Sequence, residues 1–258
     1  MDMGLEGRVA IVTGARRGIG RAECHALGRE GARVVAADIV LGEELDSLIA
    51  DIEGMGGSAI ALKVDVSAPS DVSAMVDRSI ATFGRVDILV NNAALTGAEY
   101  AGPERMIPHL AESEWRSMLD VNLTGSFLCM KYTVPHMINR GWGRIINTSS
   151  IVGQVGGAMG DAHYAASKAG IIGLTKSAAK ELGQYGITVI AVAPGYVDTE
   201  TLRESMTEET ASLARSQVPV GRFGRPEELG ALVAFLASEQ SAYLSGAVID
   251  FNGGGGRS

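Results

Sequence analysis

Cysteine, basic charge and long apolar runs are all scarce in this chain, and each shortage excludes a class of protein. Only two cysteines are present, Cys24 and Cys129, and both lie in helix-like apolar segments. We therefore expect buried free thiols in a reducing compartment, and not a disulfide framework. Neither cysteine stands at a metal-binding spacing from the four histidines, so no metal site is expected. The formal net charge of -8 argues against the basic face that nucleic-acid binding requires.

Membrane and export signals are also missing from the sequence. No run approaches the roughly 18 apolar residues of a membrane span, and the first residues lack the basic segment and apolar core of a signal peptide. The 258 residues are 46% hydrophobic and 20% charged, which is typical of a compact globular domain. We expect a soluble, cytoplasmic protein that does not bind membranes.

The amino-terminal part of the chain predicts a phosphate-binding turn. A short β-branched run over residues 8–13 is followed at once by Gly14, Gly18 and Gly20 and then by a helical pattern. Glycines let a backbone approach a phosphate, and the helix N-terminus offers free N–H groups and a positive dipole. The spacing is not the common G-x-G-x-x-G. The position directly after the first strand therefore supports the prediction more than the motif does.

The end of the second predicted strand bears on the choice of cofactor. Asp38 lies where a carboxylate accepts hydrogen bonds from an adenosine ribose. A carboxylate there repels the additional phosphate of NADP, so NAD is the expected cofactor. NADP is the alternative, because the guanidinium of Arg16 or Arg17 could receive that phosphate.

Strand-like and helix-like segments alternate along the whole chain, about seven of each. The predicted strands cover residues 8–13, 33–38, 58–64, 86–91, 144–149, 187–193 and 247–251. The predicted helices cover residues 21–30, 43–54, 71–83, 113–140, 164–183, 201–217 and 226–237. This alternation predicts an α/β fold, a Rossmann-type doubly wound parallel sheet with helices on both faces, as one domain over residues 1–258.

Two segments near the carboxyl terminus are expected to move. The polar segment from about residue 200 to 217 is bracketed by helix breakers, which favours a lid over a site. The glycines of residues 253–256 predict a flexible tail.

A tyrosine, a lysine and a serine form the candidate catalytic group. Tyr164 and Lys168 are four apart and share one face of a predicted helix, and Ser150 stands where the preceding strand ends. A phenol beside an ammonium group suits proton transfer at a carbonyl or carbinol carbon. The nearby positive charge is expected to favour the phenolate. The hydroxyl of Ser150 could donate to the same substrate oxygen.

Over essentially its whole length the chain resembles the short-chain dehydrogenases/reductases. The motifs that carry the resemblance are Thr13-Gly14-x-x-x-Gly18-Ile19-Gly20, Asp65-Val66, Asn91-Asn92-Ala93, Asn122, Ser150, Tyr164-x-x-x-Lys168 and Pro194-Gly195.

The resemblance implies a role for each matching residue. Tyr164 would be the catalytic acid or base, Ser150 the donor to the substrate oxygen, and Lys168 the ligand of the nicotinamide ribose. Asn122 would hold a water that links Lys168 to solvent. The remaining implied cofactor contacts are Gly14, Arg17, Gly18 and Ile19 at the pyrophosphate, Asp38 at the adenosine ribose, Asp65, Val66 and Asn92 around the adenine, and Val197 and Thr199 at the nicotinamide carboxamide.

Departures from the family pattern leave alternatives open. Ala94 replaces the usual glycine, and a longer interval before Tyr164 makes Ser149 an alternative to Ser150. The segment 95–111 looks longer than is typical and either covers the substrate pocket or is a surface excursion. Its candidate contacts are Tyr100, Arg105 and His109, whereas Arg203 and Arg215 in the lid are expected to be surface arginines.

The sequence thus predicts an NAD-dependent oxidoreductase that interconverts a small-molecule secondary alcohol and its ketone. The first alternative is a reductase of 3-oxoacyl thioesters, an activity whose usual cofactor is NADPH. The second alternative is a dinucleotide sensor without enzymatic activity. The resemblance also implies a homotetramer, with which the apolar residues 171, 172 and 174 and residues 247–251 are compatible, as they are with core packing.

Overall fold

The computed structural model describes residues 3–96, 102–157 and 160–255, and its centre is one sheet of seven parallel strands. The strands are β1 (Val9–Thr13), β2 (Arg33–Asp38), β3 (Ala59–Lys63), β4 (Ile88–Asn91), β5 (Gly143–Thr148), β6 (Ile187–Pro194) and β7 (Val248–Phe251). Their order in the sheet is β3-β2-β1-β4-β5-β6-β7, and every neighbouring pair is parallel. The predicted fold class is confirmed.

Helices connect the strands and cover both faces of the sheet. The α-helices of the described residues are α1 (Gly18–Arg29), α2 (Glu43–Gly54), α3 (Pro69–Phe83), α4 (Glu112–Leu119), α5 (Gly125–Arg140), α6 (Val152–Val155), α7 (Ala162–Leu182), α8 (Glu200–Ser205), α9 (Glu208–Ser216) and α10 (Pro226–Leu236). Short 3₁₀ turns lie at Pro103–Arg105, Gly183–Tyr185 and Glu239–Leu244.

Strand β1 shows why the sheet needs helices on both sides. All five of its residues are buried, and because successive side chains point to opposite faces, they divide between two cores. Ala10 and Val12 pack into the cluster that includes residues of α1, α2 and α10. Val9 and Ile11 pack into the cluster that includes residues of α3, α5 and α7. The sequence shows this as a continuous apolar run without alternation.

The single helix predicted over residues 113–140 is three segments in the structure. Helix α4 ends at Leu119, a π-helical turn follows at Asp120–Thr124, and α5 continues to Arg140 with Pro135 inside it. The π turn is a local widening of a kind often found at functional sites. It contains Asn122, which is fully buried.

The single helix predicted over residues 201–217, in the lid, is also divided in the structure. Helix α8 begins after Thr199 and α9 begins after Thr207, and each of these threonines caps its helix by accepting a backbone N–H, from Leu202 and Thr210 respectively. An N-cap residue has extended backbone geometry, so the cap at Thr207 interrupts the helix that the polar pattern predicts.

The tail that was expected to be flexible makes backbone hydrogen bonds as far as Gly255, and Gly256 lies outside the described residues. The backbone N–H of Gly254 donates to Asn252 Oδ1 at 2.9 Å, and that of Val220 donates to the Gly253 carbonyl at 3.2 Å. A Cβ on Gly253 would lie 2.8 Å from a Val218 methyl group. Here glycine permits close packing of the tail against the residues that follow the lid.

Two further expectations concern the whole chain. Cys24 and Cys129 are buried free cysteines, as predicted, and burial raises the pKa of Cys129 to about 12. Within residues 3–96, 102–157 and 160–255, every helix is too short or too polar to cross a membrane.

Candidate active site

Most of the predicted site residues meet in one cavity of about 410 Å³ at the carboxyl edge of the sheet. The predicted residues that line it are Gly14, Arg17, Gly18, Ile19, Asp38, Asp65, Val66, Asn92, Ser150, Tyr164, Lys168 and Thr199. The cavity spans the ends of β1 and β4, where the strand order reverses. In open α/β sheets such a reversal is where ligands bind.

Two glycines that follow β1, Gly14 and Gly20, stand where a side chain would not fit. Gly14 has a φ of +67°, and a Cβ there would lie 2.8 Å from the Cα of Ala93. A Cβ on Gly20 would overlap the Gly14 carbonyl oxygen and lie 2.6 Å from Asn92 Nδ2. This close approach keeps the surface beside the N-terminus of α1 as bare backbone. Such a cradle fits a pyrophosphate, so these residues fit a dinucleotide cofactor.

The loop after β4 is fastened to the glycine loop by two polar side chains. Asn92 Nδ2 donates to the carbonyls of Thr13 at 3.0 Å and Gly14 at 3.1 Å. Thr13 Oγ1 accepts the backbone N–H groups of Asn92 and Ala93, each at 3.1 Å. The predicted adenine contact at Asn92 therefore also braces the site. Thr13 braces the site in the same way, a function that its place in the glycine motif does not indicate.

At the adenosine end of the cavity the carboxylate of Asp38 is already engaged. Its Oδ2 accepts the backbone N–H of Arg16 and its Oδ1 that of Val40, both at 3.1 Å. The Nε of Arg16 stands 3.8 Å from Oδ1. The negative charge of Asp38 is thus partly offset by the neighbouring guanidinium.

Both arginines of the glycine loop pair with carboxylates that are distant in the sequence. Arg16 Nη1 donates to Glu44 Oε1 at 2.8 Å, and Arg17 Nη1 lies 3.6 Å from Glu204 Oε2. Glu44 is in the first turn of α2 and Glu204 is in α8. No sequence motif connects these pairs, because their partners come from separate elements.

The three candidate catalytic residues lie together on the wall of the cavity. Lys168 is buried, its Nζ donates to the Thr148 carbonyl at 2.8 Å, and it lies 5.7 Å from the centre of the Tyr164 ring. Burial lowers the pKa of Lys168 to about 7. Burial also raises the pKa of Tyr164 to about 12, although its hydrogen bond with Ser150 acts in the opposite direction.

These pKa values differ from the expectation that Lys168 favours the phenolate. Removal of water from around Tyr164 is the largest cause of its raised pKa, and the same burial disfavours the charge on the lysine itself. At neutral pH Tyr164 is therefore a protonated phenol in this structure. A phenol in that state is a proton donor.

The hydrogen bonds favour Ser150 over Ser149 as the donor to a substrate. Ser149 Oγ donates to the Lys168 carbonyl at 2.8 Å, which uses its only proton. Ser150 Oγ accepts the backbone N–H of Val152 at 3.2 Å and bonds to Tyr164. Because both hydroxyl groups line the cavity, this difference in bonding separates them.

Asn122 supports the site from behind and does not line the cavity. Its Oδ1 accepts the backbone N–H of Leu95 at 2.8 Å, and its Nδ2 donates to the Leu95 carbonyl at 3.1 Å. The same Nδ2 lies 3.1 Å from Ser167 Oγ, and that hydroxyl donates to the Tyr164 carbonyl at 2.8 Å. Asn122 thus joins the loop after β4 to the turn of α7 that carries the tyrosine.

Several other predicted residues are not brought to the cavity. The side chain of Val197 is buried in the core, and Arg105 and His109 do not line the cavity, whereas Tyr100 lies outside the described residues. Of the segment 95–111, Leu95 and Thr96 reach the cavity wall.

The lid arginines pair with carboxylates of their own region. Arg203 Nε lies 2.8 Å from Asp198 Oδ1, and Arg215 pairs with Glu208. Both arginines are exposed or half-buried at the surface, as expected. Within the described residues there is also no group of three or more His, Cys, Asp or Glu that could hold a metal ion.

Three curated proteins show what this chain is similar to. The 3-oxoacyl-[acyl-carrier-protein] reductases FabG of Thermotoga maritima and Vibrio cholerae are each 41% identical to it over 252 residues. The match covers 98% of this chain and 99% and 98% of those proteins, respectively. The FabG of Escherichia coli is 38% identical over 252 residues, which is 98% of both chains.

These relatives correct the expected cofactor. Reduction of 3-oxoacyl thioesters is the activity associated above with NADPH, so the preference for NAD over NADP is wrong. The structure gives the physical reason. Asp38 accepts the backbone N–H groups of Arg16, in the glycine loop, and of Val40, and it stands beside the Arg16 guanidinium, so it is not the free carboxylate that a preference for NAD requires.

A family model described as "Enoyl-(Acyl carrier protein) reductase" matches residues 14–255. That match, the full-length relatives and the parallel seven-stranded sheet agree with the motifs of the glycine loop and of the Tyr164-x-x-x-Lys168 helix. The chain is an oxidoreductase that belongs to the short-chain dehydrogenase/reductase family.

Proposed function

We propose that this protein reduces the 3-oxo group of an acyl thioester to a 3-hydroxyl group with NADPH. The observation that carries the proposal is the 38–41% identity, over nearly the whole chain, to 3-oxoacyl-[acyl-carrier-protein] reductases. The protonated state of Tyr164 supports the direction, because reduction of a ketone needs a proton donor at its oxygen.

In this mechanism the side chains manage the proton and the substrate oxygen. Tyr164 donates its phenolic proton to the oxygen of the 3-oxo group, and the Ser150 hydroxyl donates a hydrogen bond to the same oxygen. When it is bound, the reduced nicotinamide supplies the hydride to the carbonyl carbon. A hydrogen-bond donor aimed at an oxygen that becomes negative stabilises the transition state more than the ground state.

Lys168 and Asn122 act on Tyr164 and its surroundings, and not on the substrate oxygen itself. Lys168 would hold the nicotinamide ribose, and its positive charge, where present, would stabilise the phenolate that remains after Tyr164 has donated its proton. The bonds of Asn122 to Leu95 and Ser167 support a positioning role for its carboxamide. A water relay from Lys168 through Asn122 stays a prediction.

Helices α8 and α9 form the proposed lid. Thr199 and Thr201, at the start of the segment, line the cavity, and Glu204 of α8 pairs with Arg17 of the glycine loop. A segment that contacts both the glycine loop and the cavity wall is well placed to close over a bound substrate.

The homotetramer implied by the family stays a prediction. Exposed aromatic side chains on α4 and α5 support it, since Trp115 is 38% and Phe127 is 48% exposed. Sedimentation velocity on the purified protein measures the oligomeric state directly.

Turnover of acetoacetyl-CoA, measured as loss of nicotinamide absorbance, tests the proposal. We expect the rate of reduction to be higher with NADPH than with NADH. The Tyr164→Phe variant should be nearly inactive with either cofactor. Turnover of simple ketones without turnover of acetoacetyl-CoA would favour a secondary alcohol or ketone substrate that lacks the thioester. Binding of the cofactor without turnover of either class would favour a sensor.

A further inference from the structure

Arg16 lies between two carboxylates at the adenosine end of the cavity. Its backbone N–H donates to Asp38, and its Nη1 donates to Glu44 Oε1 at 2.8 Å. The Nε of Arg16 is buried and finds no hydrogen-bond acceptor among the described residues, since Asp38 Oδ1 is 3.8 Å away. A buried donor without an acceptor, on a side chain that lines the cavity, points to an acceptor brought by a ligand.

The charges at this end of the cavity do not balance. Arg16 brings one positive charge, and Asp38 and Glu44 bring two negative charges within its reach. The other arginine of the loop, Arg17, is paired with Glu204. The additional phosphate of NADPH carries negative charge, so it must compete with a carboxylate for Arg16.

The two carboxylates are not equally able to give way. Asp38 accepts two backbone N–H bonds, from Arg16 and Val40, which fix its position. The Glu44 side chain is 54% exposed, and its carboxylate is bonded to Arg16 Nη1 and to the N–H of its own residue. A long exposed side chain can rotate into solvent at little cost.

We propose that Glu44 competes with the 2′-phosphate of the cofactor for Arg16, and that it thereby sets how strongly the site prefers NADPH over NADH. This inference rests on the proposed function, because it takes NADPH as the cofactor. Glu44 forms the ion pair with Arg16 in the free protein and yields it when the phosphate enters. NADH has no phosphate at this position, so its binding leaves the pair intact.

Charge-matched variants of neighbouring residues test the proposal. Glu44→Gln removes the competing charge but keeps the size of the side chain. Glu43→Gln makes the same change of net charge one residue away, on an exposed side chain outside the cluster. Dissociation constants for NADPH and NADH are measured by nicotinamide fluorescence, without any thioester substrate.

We expect Glu44→Gln to tighten NADPH binding roughly three- to fivefold, the range for release of one partly exposed ion pair. The affinity for NADH should not change, and Glu43→Gln should change neither. An unchanged affinity for NADPH, an equal gain for NADH, or an equal gain in Glu43→Gln would overturn the proposal. Thermal unfolding of each variant checks that the fold is intact.

A double-mutant cycle separates competition from simple repulsion. In the Arg16→Gln background, Glu44→Gln should no longer affect the binding of NADPH. If the whole gain in NADPH affinity persists in the Arg16→Gln background, Glu44 repels the phosphate directly, and the proposed competition for Arg16 is wrong. Acetoacetyl-CoA turnover remains a separate test, so loss of the proposed substrate leaves these binding results interpretable.

Discussion

The amino and carboxyl edges of the sheet each carry a cavity, and the two cavities differ in what their side chains do. The amino edge has a cavity of about 640 Å³ lined by Trp142, Arg144 and Glu239, among others. There Arg144 Nη2 lies 2.8 Å from Glu239 Oε2, and its guanidinium stacks 4.3 Å from the centre of the Trp142 ring. The carboxyl edge has the cavity of about 410 Å³ that holds the candidate active site.

The two cavities are distinguished by their side chains. At the amino edge Arg144, Glu239 and Trp142 are paired with one another. At the carboxyl edge bare glycine backbone, the hydroxyl of Ser150 and the buried ammonium of Lys168 face a common space. Parallel strands send all their carboxyl ends to one side, which is why chemical groups from distant parts of the chain collect there. We therefore expect changes at the carboxyl edge to alter catalysis and changes at the amino edge to alter stability.

Replacement of Tyr164 should give the largest effect on catalysis. Tyr164→Phe removes the proton donor, so the turnover number should fall about 10²- to 10⁴-fold while NADPH binding stays near that of the wild type. Steady-state kinetics and a fluorescence titration measure the two quantities. Full turnover in this variant would exclude the proposed role.

The pH dependence of the reverse reaction should follow the same tyrosine. Oxidation of a 3-hydroxyacyl thioester needs Tyr164 as a base, and its pKa is raised to about 12. The deprotonated fraction, and with it the initial rate, should rise by up to about tenfold per pH unit between pH 7 and 10. A plateau well below pH 10, at saturating substrate and cofactor, would show that the pKa is much lower in the working enzyme.

Two glycine substitutions compare the edges directly. Gly20→Ala puts a methyl group against the Gly14 carbonyl and 2.6 Å from Asn92 Nδ2, so we expect a loss of about 1–3 kcal/mol and weakened cofactor binding. Gly183 lines the cavity at the amino edge and has a helical φ of -56°, and a Cβ added there would meet no atom of the described residues within 4 Å. Gly183→Ala should be neutral or stabilising by up to about 1 kcal/mol. Chemical denaturation and fluorescence titration measure both variants.

Arg144 tests whether the amino edge is structural. Arg144→Met removes the pairing with Glu239 and the stacking on Trp142, and we expect the free energy of unfolding to fall by about 1–2 kcal/mol. Turnover per folded molecule should not change. A loss of activity without a loss of stability would contradict a purely structural role for the amino edge.

The carboxyl group of Glu23 should make the stability of the protein depend on pH without affecting catalysis. This residue of α1 is fully buried, neither carboxyl oxygen has a hydrogen-bond partner among the described residues, and burial raises its pKa to about 8. Between its ordinary pKa and this value the folded state binds more protons than the unfolded state, so stability falls as the pH rises through about 8. Glu23→Gln should lessen the fall in melting temperature between pH 6 and 9. An unchanged pH dependence would show that Glu23 has a partner or is accessible to water.

Local chemistry made much of this architecture predictable. The bounds of β2 and α2 agree residue for residue with the prediction, because Asp38 closes an apolar run and Gly42 and Gly54 flank a helical one. The division at Asn122 could not be predicted, since a π turn has no distinct apolar period and is stabilised by bonds to Leu95 and Ser167. The raised pKa of Tyr164 could not be predicted either, because spacing reveals a neighbouring lysine but not how much water burial removes.

The sequence by itself determined the alternation of strands and helices, the family, and the residues that gather at the carboxyl edge. These follow from apolar periodicity and from motifs that lie close together in the chain. Only the tertiary structure decided the partners of Asp38, Arg16 and Arg17, and with them the electrostatics of the cofactor site. Electrostatic energy depends on distances between charges and on their exposure to water, and both are set by elements that meet only when the chain is folded.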